Sequence, residues 1–136
     1  MPDFEETFFT RVGCMDGRIQ IPLRVFGQKK FHAQYPDSIT DPGTVGMLVS
    51  DPPAELLDRL KTELNISLQK HKSKGILVCG HQECAANQVD DNTHREEIRK
   101  SVGIVKDIVG GLVPVVGVFV KRSEPDPKIW EVEELS

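Results

Sequence analysis

Two short clusters in this chain carry residue types able to hold a metal ion: Cys14-Met15-Asp16-Gly17-Arg18 and His81-Gln82-Glu83-Cys84. Thiolate and imidazole are favoured donors for Zn²⁺, so Cys14, His81 and Cys84 form a two-sulfur, one-nitrogen set. The fourth tetrahedral position is left to water or to an oxygen ligand such as Asp16. A protein shell that stops at three ligands is what metal catalysis requires. Taken singly, the same residues mean less. A buried cysteine is usually a small hydrophobe, a turn histidine a hydrogen-bonding group, and an Asp–Arg pair an ordinary loop ion pair. The weight lies in the joint occurrence of Cys-x-Asp-x-Arg and His-x-x-Cys, each just after an apolar run. The third cysteine, Cys79, falls inside such a run and reads as core.

Something must bring clusters so distant in sequence together. Short apolar runs alternate with longer amphipathic segments, the pattern of an α/β domain with a mainly parallel sheet flanked by helices. Strands are predicted at Phe8–Val12, Asp37–Thr40, Gly75–Gly80 and Val113–Val120, with Ile129–Leu135 as a final edge strand or tail. The run Gly75–Gly80 is continuously apolar, as expected of a central strand covered on both faces. Helices are predicted over Arg18–Phe31, with Pro22 restricting its start, and after Asp51-Pro52-Pro53, where Leu57, Leu60, Leu64 and Leu68 make one buried stripe. A third helix begins near Asn92 or Thr93, with Thr93 and Glu96 as a capping box, buries Ile98, Val102, Val105 and Val109, and ends at Gly110-Gly111. Asp90 and Asp91 also read as helix-start residues. Both clusters then follow the C-terminal ends of strands, where open α/β sheets bind ligands at the point of strand-order reversal.

The 136 residues describe one domain, with 38% hydrophobic side chains and 17 Lys plus Arg against 21 Asp plus Glu. That length buries a single core without disulfide staples. A formal charge of −4 argues against a broad nucleic-acid or anionic-membrane surface. The longest mostly apolar run, Leu112–Val120, is far short of the roughly 20 residues that span a bilayer. The acidic start Met1–Glu6 lacks the basic and apolar regions of a secretory signal, so a cytoplasmic location is expected, where an odd number of thiols favours metal or redox chemistry over disulfides. His32, His71 and His94 sit on predicted helices or their flanks and read as solvated side chains.

The two motifs resemble those of the β-class carbonic anhydrases, a likeness that spans about residues 8 to 120. The resemblance implies zinc held by Cys14, His81 and Cys84, with Asp16 and Arg18 as the family's Asp–Arg pair, an α/β fold around a mostly parallel sheet, and a homodimer or higher oligomer. It implies reversible hydration of CO₂ to bicarbonate, with zinc hydroxide as nucleophile and the Asp16–Arg18 pair orienting it. If Arg18 releases Asp16, the carboxylate can take the fourth zinc position and close the site. Departures are visible: Gly17 stands where many members have Ser, Ala85-Ala86 follows Cys84, and Ile39–Gly43 takes the place of an Arg-x-x-Gly-Asn-like segment. Two alternatives stay open: a non-catalytic zinc-binding structural or regulatory protein of the same fold, or an enzyme for a CO₂-like substrate such as carbonyl sulfide or carbon disulfide.

Overall fold

The computed structural model describes residues 5–135. Most of the acidic start read above, residues 1–4, lies outside the described residues. In chain order the elements are β1 (Phe8–Cys14), a 3₁₀ turn (Gly17–Ile19), α1 (Gln20–Phe31), β2 (Tyr35–Asp41), α2 (Thr44–Val49), α3 (Ala54–Gln69), β3 (Ile76–His81), α4 (Asp91–Val109), β4 (Val115–Arg122) and β5 (Trp130–Leu135). The five strands lie in the order β2-β1-β3-β4-β5. The first four are parallel, and β5 runs antiparallel along the edge of β4.

From β1 the chain goes first to one side (β2) and then to the other (β3). The strand order therefore reverses between β1 and β3, and the crevice at their carboxyl ends is the topological switch point. All six residues of β3 are buried, as its apolar run requires. Alternation along the strands divides the core between the two faces. Val12, Val78 and Phe119 pack against α2, α3 and α4, whereas Phe9, Leu77, Cys79 and Val118 pack against the α1 side. Helix α1 approaches closely because Gly27 faces the Phe9 ring: a Cβ there would sit 2.1 Å from a ring carbon.

Several elements differ from the sequence reading. Strand β1 continues two residues further, to Cys14, so the first cysteine ends the strand instead of following it. Helix α3 buries Leu56, Leu60, Leu64 and Ser67, leaving Leu57 and Leu68 half-buried on its flank. Its last turn lies over polar strand residues. Ser67 Oγ lies 2.7 Å from the Thr10 hydroxyl and donates to Asp37 Oδ2 at 2.7 Å, so a hydroxyl serves better than a leucine there. Helix α4 is capped by Asp90, whose carboxylate accepts from Thr93 N at 2.8 Å and Thr93 Oγ1 at 3.0 Å; Glu96 pairs with Arg99 and does not complete a box. Gly110 closes α4 with φ of 65°. Strand β4 begins and ends two residues later than predicted. Helix α2 has no counterpart in the sequence reading.

Candidate metal centre

Cys14 is the last residue of β1 and His81 the last of β3; Cys84 lies in the turn that follows. That turn is tight enough to hold Glu83 at φ of 58°, a left-handed conformation costly for a residue with a Cβ. The turn folds Cys84 back toward Cys14, and the two Sγ atoms stand 3.8 Å apart. The ligand atoms of Cys14, His81 and Cys84 all lie within 4.8 Å of one another, and all three residues are buried. All three cysteines of the chain are free thiols.

The imidazole is set for ligation. His81 Nδ1 lies 2.7 Å from the Gln82 carbonyl oxygen, which can only accept, so Nδ1 carries the proton and Nε2 presents its lone pair. Nε2 is buried and meets no hydrogen-bond donor or acceptor in the structure. Two sulfurs bound at about 2.3 Å to a tetrahedral ion stand about 3.8 Å apart, and the thiols of Cys14 and Cys84 are at that spacing. An orphaned imidazole nitrogen beside two thiols at tetrahedral separation fits a thiophilic divalent ion such as zinc.

The charges are biased the same way. Burial pushes the Cys14 thiol upward, but the neighbouring His81 imidazole and the backbone N–H groups of Gly43 and Asp16 outweigh it and bring its pKa to about 6. Burial pulls His81 down, and its interaction with Cys14 more than compensates, so its pKa is raised. Cys84 is raised, chiefly by burial. Gly43 N lies 3.5 Å from Cys14 Sγ, and Thr44 Oγ1 donates to the Gly13 carbonyl at 2.7 Å, which anchors the start of α2 against the end of β1. Segment 39–43 therefore does reach this part of the site.

Asp16 stands apart from the three ligands. It caps the 3₁₀ turn, and both of its oxygens belong to Arg18: Oδ1 accepts from Arg18 N at 2.9 Å and Nε at 3.1 Å, Oδ2 from a terminal nitrogen at 2.8 Å. The Arg18 guanidinium brings the Asp16 pKa from its usual 3.8 to about 2. Arg18 is held in turn by Glu83, through Oε1 at 3.2 Å and the carbonyl at 3.1 Å. Arg122 clamps the same Glu83 carboxylate at 2.6 and 3.0 Å. Both guanidiniums lie over the Trp130 ring, at 4.9 Å for Arg18 and 4.5 Å for Arg122.

The sequence reading did not single out Glu83, Arg122 or Trp130. Glu83 lies inside the second motif, but nothing in spacing ties it to Arg122 or to a tryptophan on the last strand. Cys79 stays in β3, its thiol directed to the Val12 carbonyl at 3.4 Å, outside the metal cluster. His94 overturns its reading as a solvated residue. It is 3% exposed, packed edge-on to Phe119 with its ring 6.5 Å from that of His81, and burial lowers its pKa. His71 is exposed and pairs with Asp37, and His32 is exposed.

Over residues 4–136 the sequence matches the model of a protein family described as "Putative carbonic anhydrase". The chain belongs to that family. Among solved structures it is similar to the β-carbonic anhydrase isoform I of the protozoan Trichomonas vaginalis, with a TM-score of 0.60 and 15% identity over 98% of this chain and 86% of that one. At that identity the likeness shows the fold: an α/β domain of the β-carbonic anhydrase type. No curated protein matches the sequence. No helix among the described residues is long and apolar enough to cross a membrane. Family, fold and a buried Cys-His-Cys cluster thus coincide in one chain, the cluster lying at the crevice where the sheet's strand order reverses.

Proposed function

We propose that this chain is a zinc-dependent carbonic anhydrase that interconverts CO₂ and bicarbonate, with Cys14, His81 and Cys84 holding the metal and Asp16 and Arg18 as its catalytic pair. The observation that carries the reading is the 3.8 Å separation of the two thiols beside the unpartnered His81 Nε2, in a chain of the carbonic anhydrase family. Zinc bound there supplies the Lewis acidity that makes water a nucleophile near neutral pH.

The protein's own residues do the rest. Cys14, ionised at neutral pH, and Cys84, once it gives up its proton, offset the metal's charge. They moderate its acidity relative to a site of three neutral imidazoles, so the rate rises from pH 7 to pH 9. Asp16 stays ionised throughout that range and is an acceptor only, suited to take the nucleophile's O–H and turn its lone pair toward the carbon of CO₂. Arg18 occupies both Asp16 oxygens, which keeps the carboxylate off the fourth metal position. Self-association belongs to this reading. Strand β2 is a sheet edge, bordered by a groove of about 340 Å³ against α3 and flanked by the exposed side chains of Tyr35 and Ile66.

Stopped-flow CO₂ hydration by zinc-loaded protein at pH 7 and 9, with Cys84→Ser as the control, tests the function. A rate above buffer that is lost in the variant supports it. Stoichiometric zinc with no rate at either pH overturns it, and turnover of carbonyl sulfide or carbon disulfide under the same conditions would reassign the substrate.

A further inference from the structure

Glu83 is held in a backbone conformation that disfavours its side chain. Its φ of 58° lies in the left-handed region, where a Cβ is costly and glycine is the natural occupant. The residue belongs to the turn His81-Gln82-Glu83-Cys84, which folds Cys84 back toward Cys14. Glycine would serve that turn at least as well. Strained backbone persists where the surroundings over-determine it, and at Glu83 it is the side chain that is over-determined.

Two arginines grip the carboxylate from different elements. Arg122, at the end of β4, binds it through two bonds, Nε to Oε2 at 2.6 Å and Nη2 to Oε1 at 3.0 Å. Its Nη1 donates to the Pro127 carbonyl at 2.7 Å, so Arg122 is itself pinned. Arg18, in the 3₁₀ turn, donates from Nη1 to Glu83 Oε1 at 3.2 Å and from Nη2 to the Glu83 carbonyl at 3.1 Å. The Arg18 guanidinium is thereby divided: Nε and Nη2 serve Asp16, while Nη1 and Nη2 serve Glu83. The Arg18 and Glu83 side chains are 41% and 51% exposed, and an isolated pair so exposed contributes little. A bidentate pair inside a network of several charges is the exception to that rule.

We propose that Glu83 is a positioning residue for the carbonic anhydrase reaction, a role that rests on the function proposed above: locked by Arg122, it fixes the Arg18 guanidinium in the orientation that occupies both oxygens of Asp16. Glu83 lies outside the metal cluster and acts through Arg18. The left-handed backbone follows from placing both the carboxylate and the carbonyl of one residue on Arg18. Without that anchor the exposed Arg18 side chain turns more freely about its stem and releases Asp16 more often.

Glu83→Ala and Glu83→Gly both remove the carboxylate, but only glycine relieves the backbone. Each is compared with wild type, alone and combined with Arg18→Ala, as zinc and as cobalt protein. Both single variants should lower kcat/KM for CO₂ hydration about two- to fivefold, the range of a lost exposed ion pair, with zinc content unchanged. Their cobalt absorption spectra should shift in the same direction as that of Arg18→Ala. In the Arg18→Ala background neither substitution should lower kcat/KM or move the spectrum further, because the two residues act as one unit. Glu83→Gly should unfold at a higher urea concentration than Glu83→Ala while matching it in rate. In the metal-free protein, nuclear magnetic resonance should show faster rotation of the Arg18 guanidinium about Nε–Cζ in both single variants.

Full additivity with Arg18→Ala would overturn the assignment, as would a rate that recovers along with stability in Glu83→Gly, since Glu83 then only shapes the turn. Unchanged Arg18 rotation and an unchanged cobalt spectrum in the single variants would overturn it as well. Wild-type protein with full zinc and no rate overturns the carbonic anhydrase reading instead. The rotation and the spectra need no turnover and still decide whether Glu83 positions Arg18.

Discussion

Replacing Arg18 by alanine removes the group that occupies both oxygens of Asp16 but leaves the backbone N–H at 2.9 Å in place. The difference between the usual carboxyl pKa of 3.8 and about 2 is worth roughly 2 kcal/mol at about 1.4 kcal/mol per unit. The Arg18 side chain is 41% exposed, so solvent screening reduces the usable part to about 1 kcal/mol. Asp16 in the variant is still ionised at pH 7; what changes is where it spends its time. A release of about 1 kcal/mol shifts the balance toward the carboxylate approaching the metal by roughly fivefold, at about 1.4 kcal/mol per tenfold. Stopped-flow CO₂ hydration at pH 7.5 should show kcat/KM lowered by about that factor with zinc content unchanged. Absorption spectra of the cobalt-substituted protein should show the changed coordination. An Arg18→Ala enzyme with full zinc, unaltered spectrum and unaltered kcat/KM would refute the assigned role of the pair.

Other expectations follow from the same geometry. His81→Ala and Cys84→Ser should each lose stoichiometric zinc after dialysis, measured by elemental analysis, while the far-ultraviolet circular dichroism stays that of the wild type. Zinc binding near pH 7 should release between about one and about two protons, one from Cys84 and up to one more from His81, whose pKa is raised. Affinity should fall as pH drops through about 6, where the Cys14 thiolate takes up its proton, and competitive chelator titrations in buffers of different ionisation enthalpy check both. Trp130→Ala removes the ring beneath both guanidiniums and should lower kcat/KM about two- to fivefold through Arg18, as for the loss of an exposed cation–π contact, without loss of zinc. Leu64→Ala, at a position 1% exposed, should lower the unfolding free energy by about 3 kcal/mol in urea titrations.

The parts of the fold that were legible in the sequence are those where one physical cause dominates. Ile76–Cys79 could only be an interior strand because no polar side chain interrupts it, and the sheet buries it completely. The three ligands were legible because thiol and imidazole, each at the end of an apolar run, have few other reasons to recur together. What was lost depends on tertiary context. Helix α2 is a short run holding Val45, Gly46 and Val49, residues of middling or poor helix propensity. Tertiary contacts hold it in place: Gly46 packs so close to Asn87 that a Cβ would meet the side chain at 2.7 Å, and Thr44 ties its start to Gly13. The stripe on α3 shifted because Thr10 and Asp37, across the interface, present hydroxyl and carboxylate to Ser67. Glu83, Arg122 and Trp130 escaped notice because their link to Asp16 runs through Arg18 across three separate elements, and no spacing within any one of them encodes it.

The central claim is best tested by the rate of CO₂ hydration as a function of bound zinc. Metal-free protein is titrated from zero to one equivalent, and rate and metal content are read on the same samples. A line through the origin that levels off at one zinc per chain, with His81→Ala flat throughout, is the predicted result. A rate that does not follow zinc, or that survives in His81→Ala, would contradict catalysis at Cys14, His81 and Cys84.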